Sequence, residues 1–374
     1  MRLLTTALCG LLTGACHVLA APPPSGRPSI PFIDAHVHIL APTPAFYEFL
    51  ERWNVRMLSV AVVDSTNPSF TDAARQHAAQ LEVFRRSGGR VAWCSTFDAA
   101  EFETPGFAAR TAAALDRTYG QGAVATKIWK NIGMRIKSRA GAYLMPDDPA
   151  LRPVLDHVAA RHKTLFAHLA EPVTCWMPLD KMKPSHAAYY GKHPEWHAYQ
   201  HPEMPSKEAI LAARDRLLAA HPGLRVVGCH LGSMEEDLGE VARHFDRYPN
   251  FAVDTAERMQ EWMSKPRDQV RAFLIRYQDR ILYATDTVWA ANTPEAEVLK
   301  RLEEMYTLDW RYLATDEMVE FPADRLRVKG LALPPPVLRK IFYENAVRWV
   351  PGMAPPFPAD RRARPAGARR RTAP

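Results

Sequence analysis

The chain has 374 residues, of which 47% are hydrophobic, 24% charged and 10% aromatic, and it contains five cysteines. This composition excludes an intrinsically disordered protein and a disulfide-stapled mini-domain, and the length allows one large α/β barrel or two ordinary domains. The net charge of +7 arises at the ends, chiefly from six arginines against one aspartate in residues 360–374, so the body is neutral and nucleic acid is not an expected partner. Beyond residue 20 there is no apolar run of about 20 residues, and we expect no membrane span.

The N-terminus carries the pattern of a secretory signal peptide. Arg2 is followed by LLTTALCGLLTGACHVLA, a short apolar stretch that ends in small residues, which predicts a signal peptide over residues 1–20 and a periplasmic or secreted protein. A lipoprotein anchor at Cys16 is an alternative, although Thr13 stands where a branched apolar residue is usually needed. Residues 21–30 form a proline-rich spacer. Cleavage would leave Cys94, Cys175 and Cys229, so at least one thiol should be free and buried.

Residues 31–350 alternate short apolar runs with longer helical patterns. The strand candidates are Phe32–Val37, Met57–Val63, Val91–Phe97, Ala123–Trp129, Thr164–Leu169, Arg225–His230, Phe251–Thr255 and Arg280–Ala284. The helix candidates between them are Asp72–Arg86, Phe107–Tyr119, Pro149–His162, Ser206–His221, Glu235–Tyr248 and Pro266–Gln278. Eight such units predict a single-domain α/β protein with a (β/α)8 TIM-like barrel. An open doubly wound sheet is the alternative, weakened by the lack of a glycine-rich turn after the first strand.

Two helix starts and one long connection are marked in the sequence. Asp148 followed by Pro149 predicts an N-cap with proline at the first helical position, and Ser206 predicts the cap of the next helix. The connection between Leu169 and Ser206 is far longer than is usual after a barrel strand, and it is rich in tryptophan, tyrosine and proline. We expect this loop after the fifth strand to cover an active site at the carboxyl end of the barrel. Residues 351–374 are expected to be a disordered basic tail.

Ionisable side chains stand at the carboxyl ends of several predicted strands. His36 and His38 alternate at the end of the first strand and should face the same side. His168, His230 and Asp286 end the fifth, sixth and eighth strands. Such groups would be costly to bury unpaired, and they all arrive at one rim of a barrel. Imidazoles with a carboxylate are the ligands that zinc prefers, so the sequence predicts a metal site there.

The same motifs resemble the amidohydrolase superfamily, and within it the branch of aminocarboxymuconate-semialdehyde decarboxylase-like metal-dependent hydrolases. The matching segments span residues 31 to about 290 and are Asp34-Ala35-His36-Val37-His38, Ala167-His168, Cys229-His230-Leu231-Gly232 and Ala284-Thr285-Asp286. The resemblance implies that His36, His38, His168 and Asp286 bind a divalent metal, most simply Zn²⁺. It also implies that His230 stands beside the metal as general base or electrostatic partner.

Further cations and one aromatic residue are candidates for contacts with substrate or metal. Lys127 lies in the apolar fourth strand, where the resemblance allows a carbamylated lysine that bridges two metals, although one ion is favoured over two. Uncarbamylated, Lys127 could hold an anionic substrate group as a point charge. Lys130 could extend that role, although a solvated loop charge is the simpler interpretation. Arg258 and Trp176 could also contact substrate, or have structural roles only.

These features predict a metal-dependent hydrolase that acts on a small molecule. In this hypothesis a metal-activated water attacks the carbonyl of an ester, lactone or amide, His230 and Lys127 stabilise the developing charge, and Asp286 moves the proton. The first alternative is a metal-dependent non-oxidative decarboxylase of a carboxylated aromatic substrate, for which the aromatic loop is suited. The second is a barrel that binds metal without catalysis. The sequence leaves a homo-oligomer open.

Overall fold

The strands of the body form one parallel sheet in the computed structural model, which describes residues 28, 30–64, 72–289 and 293–353. In chain order they are β1 (Phe32–Ile39), β2 (Val55–Val60), β3 (Val91–Thr96), β4 (Ala125–Ile128), β5 (Thr164–Ala167), β6 (Arg225–Gly228), β7 (Phe251–Asp254), β8 (Ile281–Leu282) and β9 (Thr287–Trp289). Successive strands are neighbours from β1 to β8, and β9 pairs with β1.

The sheet closes on itself through the segment 281–289. Its first half, β8, pairs with β7, and its second half, β9, pairs with β1. Between these halves the Ala35 N–H donates to the Tyr283 carbonyl at 2.9 Å, and the Asp286 N–H donates to the His36 carbonyl at 2.8 Å. The two halves therefore occupy one strand position, which gives eight positions in all. The predicted (β/α)8 barrel is confirmed.

Helices connect the parallel strands, as crossovers must. They are α1 (Pro44–Trp53), α2 (Ala73–Arg86), α3 (Phe107–Gly120), α4 (Asn131–Met134), α5 (Arg152–Ala160), α6 (Pro184–Lys192), α7 (Lys207–Ala220), α8 (Cys229–Gly232), α9 (Leu238–Arg247), α10 (Met259–Met263) and α11 (Arg267–Arg276). After β9 come α12 (Glu295–Ala314), α13 (Pro335–Arg339), a π-helical turn at Lys340–Glu344, and α14 (Asn345–Trp349). An antiparallel hairpin, β10 (Met318–Phe321) and β11 (Leu326–Lys329), lies outside the barrel.

One of the two predicted helix caps is right and the other is wrong. The Ser206 Oγ accepts a hydrogen bond from the Ala209 N–H at 3.2 Å and caps α7 as expected. Helix α5, however, begins at Arg152 after Leu151, and not at Pro149. The Asp148 carboxylate instead accepts from the Ala150 N–H at 2.9 Å, within a turn that precedes the helix. The Asp-Pro pair marks this turn because an aspartate side chain bonds equally well to a turn N–H.

Apolar side chains fill the barrel on both sides of the strands. Ile33, Ala35, Phe166 and other inward residues form the interior, and a larger layer lies between the strands and the helices. The interior layer continues into the last helix, α14, and the residues that follow it up to 353, where Trp349 is buried and its carbonyl accepts from the Thr164 hydroxyl. This C-terminal segment therefore plugs the amino end of the barrel, and loss of the Trp349 ring should cost about 3–5 kcal/mol. A site is therefore expected at the opposite, carboxyl end of the barrel.

A β-bulge in β1 decides which of its polar side chains face the interior. Asp34 pairs with Met57 and Val37 with Ser59, so β1 has one residue more than β2 in this stretch. Before the bulge, Asp34 faces outward and accepts from the Tyr306 hydroxyl of α12 at 3.0 Å. Within the bulge, the consecutive residues Ala35 and His36 both face the barrel interior. The bulge therefore turns the histidines inward while leaving Asp34 in the outer layer.

The long connection after β5 folds over the carboxyl end of the barrel, as predicted. It contains α6 and short 3₁₀ turns at Val173–Trp176, Leu179–Lys181, Pro194–Trp196 and Ala198–Gln200. The β10–β11 hairpin supports it, because the Asp324 carboxylate accepts from both the N–H and the hydroxyl of Ser185. Cys94, Cys175 and Cys229 are free and buried, which confirms the expected free thiol.

The two ends of the chain were also assigned roles from the sequence. The predicted signal peptide, all but residues 28 and 30 of the spacer, and residues 354–374 of the tail lie outside the described residues. None of the helices that the structure does describe has the length and apolar character needed to cross a bilayer.

Candidate metal centre

His36, His38 and Asp286 meet at the carboxyl end of the barrel. The Nε2 atoms of both histidines lie near the same carboxylate oxygen, Asp286 Oδ1, at 3.3 Å for His36 and 3.1 Å for His38. The histidines come from β1, and Asp286 lies between β8 and β9 with a left-handed φ of 62°. Pairing of this segment with β1 is what brings the carboxylate to the imidazoles. The structure therefore joins three of the predicted ligands.

His230 reaches the cluster from a strained turn after β6. Its φ is 58° and that of Leu231 is 56°, so two consecutive non-glycine residues are left-handed, which costs about 1–3 kcal/mol each. A Cβ atom at Gly228 would lie 2.7 Å from Phe251, so only glycine fits at the start of the turn. The turn holds the His230 Nε2 4.0 Å from Asp286 Oδ2. Strain of this kind is typical of functional sites.

The hydrogen bonds of His230 fix its tautomer. Its Nδ1 lies 2.9 Å from the Ala256 carbonyl oxygen, which can only accept a hydrogen bond. Nδ1 therefore carries the proton, and Nε2 presents a lone pair toward Asp286. A neutral imidazole in this tautomer is suited to accept a proton or to approach a cation.

His168 completes the group of five and provides a test of whether a metal fits. Its ring lies 4.2 Å from that of His230, centroid to centroid. The His168 Nε2 is buried and has no hydrogen-bond partner among the described residues, and Glu171 Oε1 is 3.9 Å away. A buried imidazole nitrogen without a partner is rare unless it binds an ion or water. The donor atoms of His36, His230 and Asp286 also lie within 4.8 Å of one another and could hold a metal ion, so the cluster fits a divalent metal.

Burial sets the protonation states of the cluster. It lowers the pKa of His36, that of His168 well below its usual value, and that of His230 to about 3. Burial by itself would raise the pKa of Asp286, but the neighbouring imidazoles of His36 and His38 outweigh it and hold that pKa well below the usual range. At neutral pH His36, His168 and His230 are therefore neutral and the Asp286 carboxylate is ionised, which are the forms that ligate a metal.

The sequence model described as amidohydrolase matches residues 33–352. The chain belongs to the amidohydrolase family. This confirms the resemblance seen in the motifs and makes the protein an enzyme of the amidohydrolase type. A comparison with curated protein sequences found no significant match.

Solved structures agree with the fold of this amidohydrolase. Dihydroxybenzoic acid decarboxylase from Polaromonas sp. JS666, solved with manganese and the inhibitor 2-nitroresorcinol, is 15% identical with a TM-score of 0.52 and covers 85% of this chain and 96% of its own. 2,6-Dihydroxybenzoate decarboxylase in complex with 2,6-dihydroxybenzoate is 16% identical with a TM-score of 0.50, over 85% and 98% of the two chains. At these identities the likeness establishes the shared barrel.

Lys127 contacts the cluster of histidines and Asp286 directly. Its Nζ donates to His36 Nε2 at 3.1 Å and to the Cys229 Sγ at 3.0 Å, and the side chain is only 1% exposed. No carboxylate oxygen of the described residues lies within ion-pair distance of this nitrogen. The ammonium is thus held in the barrel by neutral groups, and it is available to an anionic ligand.

The other predicted substrate contacts are engaged in pairs within the protein. Lys130 is buried, forms an ion pair with Glu171 and donates to the Tyr189 hydroxyl at 2.9 Å, so its interpretation as a solvated loop charge is wrong. It is buried because the long loop folds over it, which the sequence does not show. Arg258 donates to Glu235 at 3.2 Å.

Trp176 lies within the long loop, and the structure describes no contact between it and the cluster of histidines and Asp286. Its Nε1 donates to the Pro205 carbonyl at 3.3 Å, and its ring packs against the outer core. This bond joins the first 3₁₀ turn of the loop to the residue just before helix α7. The role of Trp176 as a substrate contact stays a prediction.

Sequence reasoning missed two buried carboxylates beside the cluster. Asp254 ends β7 and lies 2.9 Å from His36 Nδ1, and Glu171 follows His168 by three residues and faces it. Asp254 satisfies the criterion that selected Asp286, an ionisable residue at the end of an apolar strand. Applying that criterion to every strand would have found it.

Proposed function

We propose that this amidohydrolase is a metal-dependent, non-oxidative decarboxylase of a small carboxylated aromatic compound. The proposal rests on the position of the Lys127 ammonium. It lies beside the cluster of histidines and Asp286 and has no carboxylate partner among the described residues. A substrate carboxylate is the natural partner for such a group. The two decarboxylases described above share the barrel and act on hydroxylated benzoates by their names, which supports this choice of substrate class.

Two partly exposed apolar side chains near the cluster support the same class of substrate. Tyr189 comes from helix α6 in the long loop, and 40% of its surface is exposed while its hydroxyl bonds to Lys130. Val288 pairs in register with His38, so the two side chains point the same way, and Val288 is 54% exposed. Exposed apolar surface beside a buried polar cluster is typical of a substrate pocket. An aromatic ring could lie against both residues with its carboxylate directed inward.

In the proposed reaction the ring carbon that bears the carboxylate gains a proton, and the carbon–carbon bond breaks with release of CO₂. The electron pair of that bond stays on the ring carbon and is neutralised by the proton. That proton comes from solvent, because Asp286 is ionised at neutral pH. Asp286 would take it up and pass it to the ring carbon, since its side chain is 23% exposed whereas those of His36 and His230 are almost fully buried. Lys127 would orient the substrate carboxylate, and His230 would assist transfer of the proton to Asp286.

We propose that His36, His38, His168 and Asp286 hold one divalent ion, with Zn²⁺ the simplest choice for three imidazoles and one carboxylate. When bound, the ion supplies Lewis-acid polarisation of a substrate oxygen. Manganese in the Polaromonas structure makes Mn²⁺ the first alternative. Elemental analysis of the purified protein tests this directly. One equivalent supports the single site, and two equivalents would point to a carbamylated Lys127 that bridges two ions.

Hydrolysis of an ester, lactone or amide is the second candidate, and the ionised state of Asp286 favours it. A carboxylate whose pKa lies well below the usual range is a base at neutral pH, and could take a proton from an attacking water. Lys127 would then donate to the oxyanion that develops on the carbonyl, and Asp286 would return the proton to the leaving group. The two candidates use the same residues and differ in their product.

Release of CO₂ separates the two candidates. The protein, reconstituted with Zn²⁺ or Mn²⁺, is incubated with hydroxylated benzoates and, separately, with aryl esters and lactones. The proposal expects CO₂ in equal amount to the benzoate consumed, and a lower kcat/KM for Lys127→Met. Lys137→Met, at an exposed lysine, is the matched control and should behave as wild type. Turnover of esters without CO₂ release would replace decarboxylation with hydrolysis.

We propose a periplasmic or secreted location from the N-terminal pattern alone. Expression of the full chain in a Gram-negative host, with fractionation and N-terminal sequencing, tests it. A mature protein that starts near Ala21 in the periplasmic fraction supports the proposal. An uncleaved cytoplasmic protein contradicts it, and a lipid-modified Cys16 would favour the anchored alternative.

A further inference from the structure

We propose that Asp254 is a positioning residue that sets the tautomer of His36 and so makes this histidine able to bind metal. The inference rests on the metal site of the proposed function but is independent of the reaction. Asp254 ends β7 and is fully buried, and none of the motifs that identify the family includes it.

One oxygen of Asp254 faces the histidine. Asp254 Oδ2 lies 2.9 Å from His36 Nδ1, and an ionised carboxylate can only accept a hydrogen bond. Nδ1 therefore carries the proton, and the lone pair of the ring is on Nε2. That atom accepts from Lys127 Nζ at 3.1 Å and lies 3.3 Å from Asp286 Oδ1, so its lone pair is directed into the cluster. A carboxylate behind a histidine ligand also fixes the ring and raises its basicity.

The other oxygen of Asp254 holds the turn that carries His230. Asp254 Oδ1 accepts from the backbone N–H of His230 at 2.7 Å and from that of Ala256 at 3.2 Å. The first bond helps to keep His230 in its left-handed conformation. The buried Asp254 side chain thus connects His36 with His230. It bonds to the ring of His36 and to the backbone N–H of His230.

This division between the two oxygens allows the roles to be separated by mutation. In Asp254→Asn the amide oxygen can stay with the two backbone donors, so the turn is preserved. The amide NH₂ then faces His36 and donates to Nδ1, which moves the ring proton to Nε2. The variant keeps its fold, and His36 loses the lone pair that it would offer to a metal. Asp254→Ala removes both functions.

The experiment measures zinc affinity of the metal-free full chain by competition with a chromophoric chelator, and thermal unfolding of the same metal-free samples. Loss of a partner behind a ligand typically weakens metal binding about 10- to 100-fold, and we expect this for Asp254→Asn. Its metal-free unfolding midpoint should stay close to that of wild type, whereas Asp254→Ala should unfold at a lower temperature. Asp309→Asn is the matched control, because Asp309 is another buried carboxylate, bonded to Tyr283 and away from the cluster.

Each outcome bears on the inference. Weak zinc binding by Asp254→Asn, with an unchanged midpoint and normal binding by Asp309→Asn, supports it. Wild-type affinity in Asp254→Asn overturns the inference while leaving the metal site intact. A midpoint for Asp254→Asn as low as that of Asp254→Ala shows a merely structural residue and also overturns it. A wild-type chain that binds no zinc overturns the inference together with the proposed metal site.

Discussion

Replacement of Lys127 by methionine should raise stability and lower activity at once. The ammonium is 1% exposed, and its two hydrogen-bond partners are His36 Nε2 and the Cys229 thiol, both neutral acceptors. Methionine has nearly the same length and volume and needs no partner. The substitution therefore removes a buried charge without leaving a cavity.

The magnitudes follow from these contacts. Exchange of a buried charged side chain for an apolar one of similar volume stabilises by about 1–4 kcal/mol when the charge is poorly compensated. A barrel of about 300 residues has an unfolding entropy near 0.6 kcal/mol/K, so the metal-free protein should melt about 2–6 °C higher. Loss of a charged hydrogen bond to the substrate carboxylate removes about 1.5–3 kcal/mol, which corresponds to about a 10- to 150-fold lower kcat/KM.

Two measurements on the same preparations test these effects. Calorimetry of the metal-free samples gives the change in melting temperature, and steady-state kinetics with a benzoate that the wild-type enzyme decarboxylates give the change in kcat/KM. A Lys127→Met protein less stable than wild type would show that the ammonium is well compensated in the barrel. An unchanged kcat/KM would show that it does not hold the substrate. Either result refutes the reasoning that leads from an ammonium with only neutral partners among the described residues to an anionic substrate.

Three further predictions concern neighbouring groups. His230→Asn should keep its metal, measured by elemental analysis, while turnover falls about 100- to 10,000-fold; full turnover would contradict the role of this histidine. Glu171→Gln leaves the Lys130 ammonium buried without its carboxylate, which should cost about 3–5 kcal/mol and speed amide hydrogen exchange in residues 172–206. Unchanged exchange would show that this pair does not secure the loop. Burial raises the pKa of Asp309 from 3.8 to about 7. Between these values the folded state holds a proton that the unfolded chain releases, so wild-type stability falls as pH rises. Asp309→Asn has no such proton, and its stability relative to wild type should increase by about 2–3 kcal/mol from pH 5 to pH 8 in urea denaturation. Parallel pH profiles would contradict the raised pKa.

Most of the fold could be predicted because parallel strands buried on both faces are continuous apolar runs. All eight predicted strands overlap observed ones, and the histidines of β1 converge on Asp286 as alternation and strand order suggest. The predicted start of α5 at Pro149 is wrong because an aspartate can cap a helix or close a turn, and the local sequence does not distinguish the two. Lys130 was misjudged because its burial depends on a loop that folds back over it from Glu171 to Tyr189.

The sequence by itself determined the chemistry of the site, since which imidazoles and carboxylates stand at strand ends is a property of the chain order. It could not determine how these groups are oriented. The bulge between Asp34 and Val37 is an irregularity of pairing with β2, and it sends Asp34 outward and the histidines inward. Likewise the contact of Asp254 with His36 joins strands 218 positions apart in the chain. Orientation and tautomer depend on partners across the barrel, and only the closed tertiary structure brings those partners within hydrogen-bond distance.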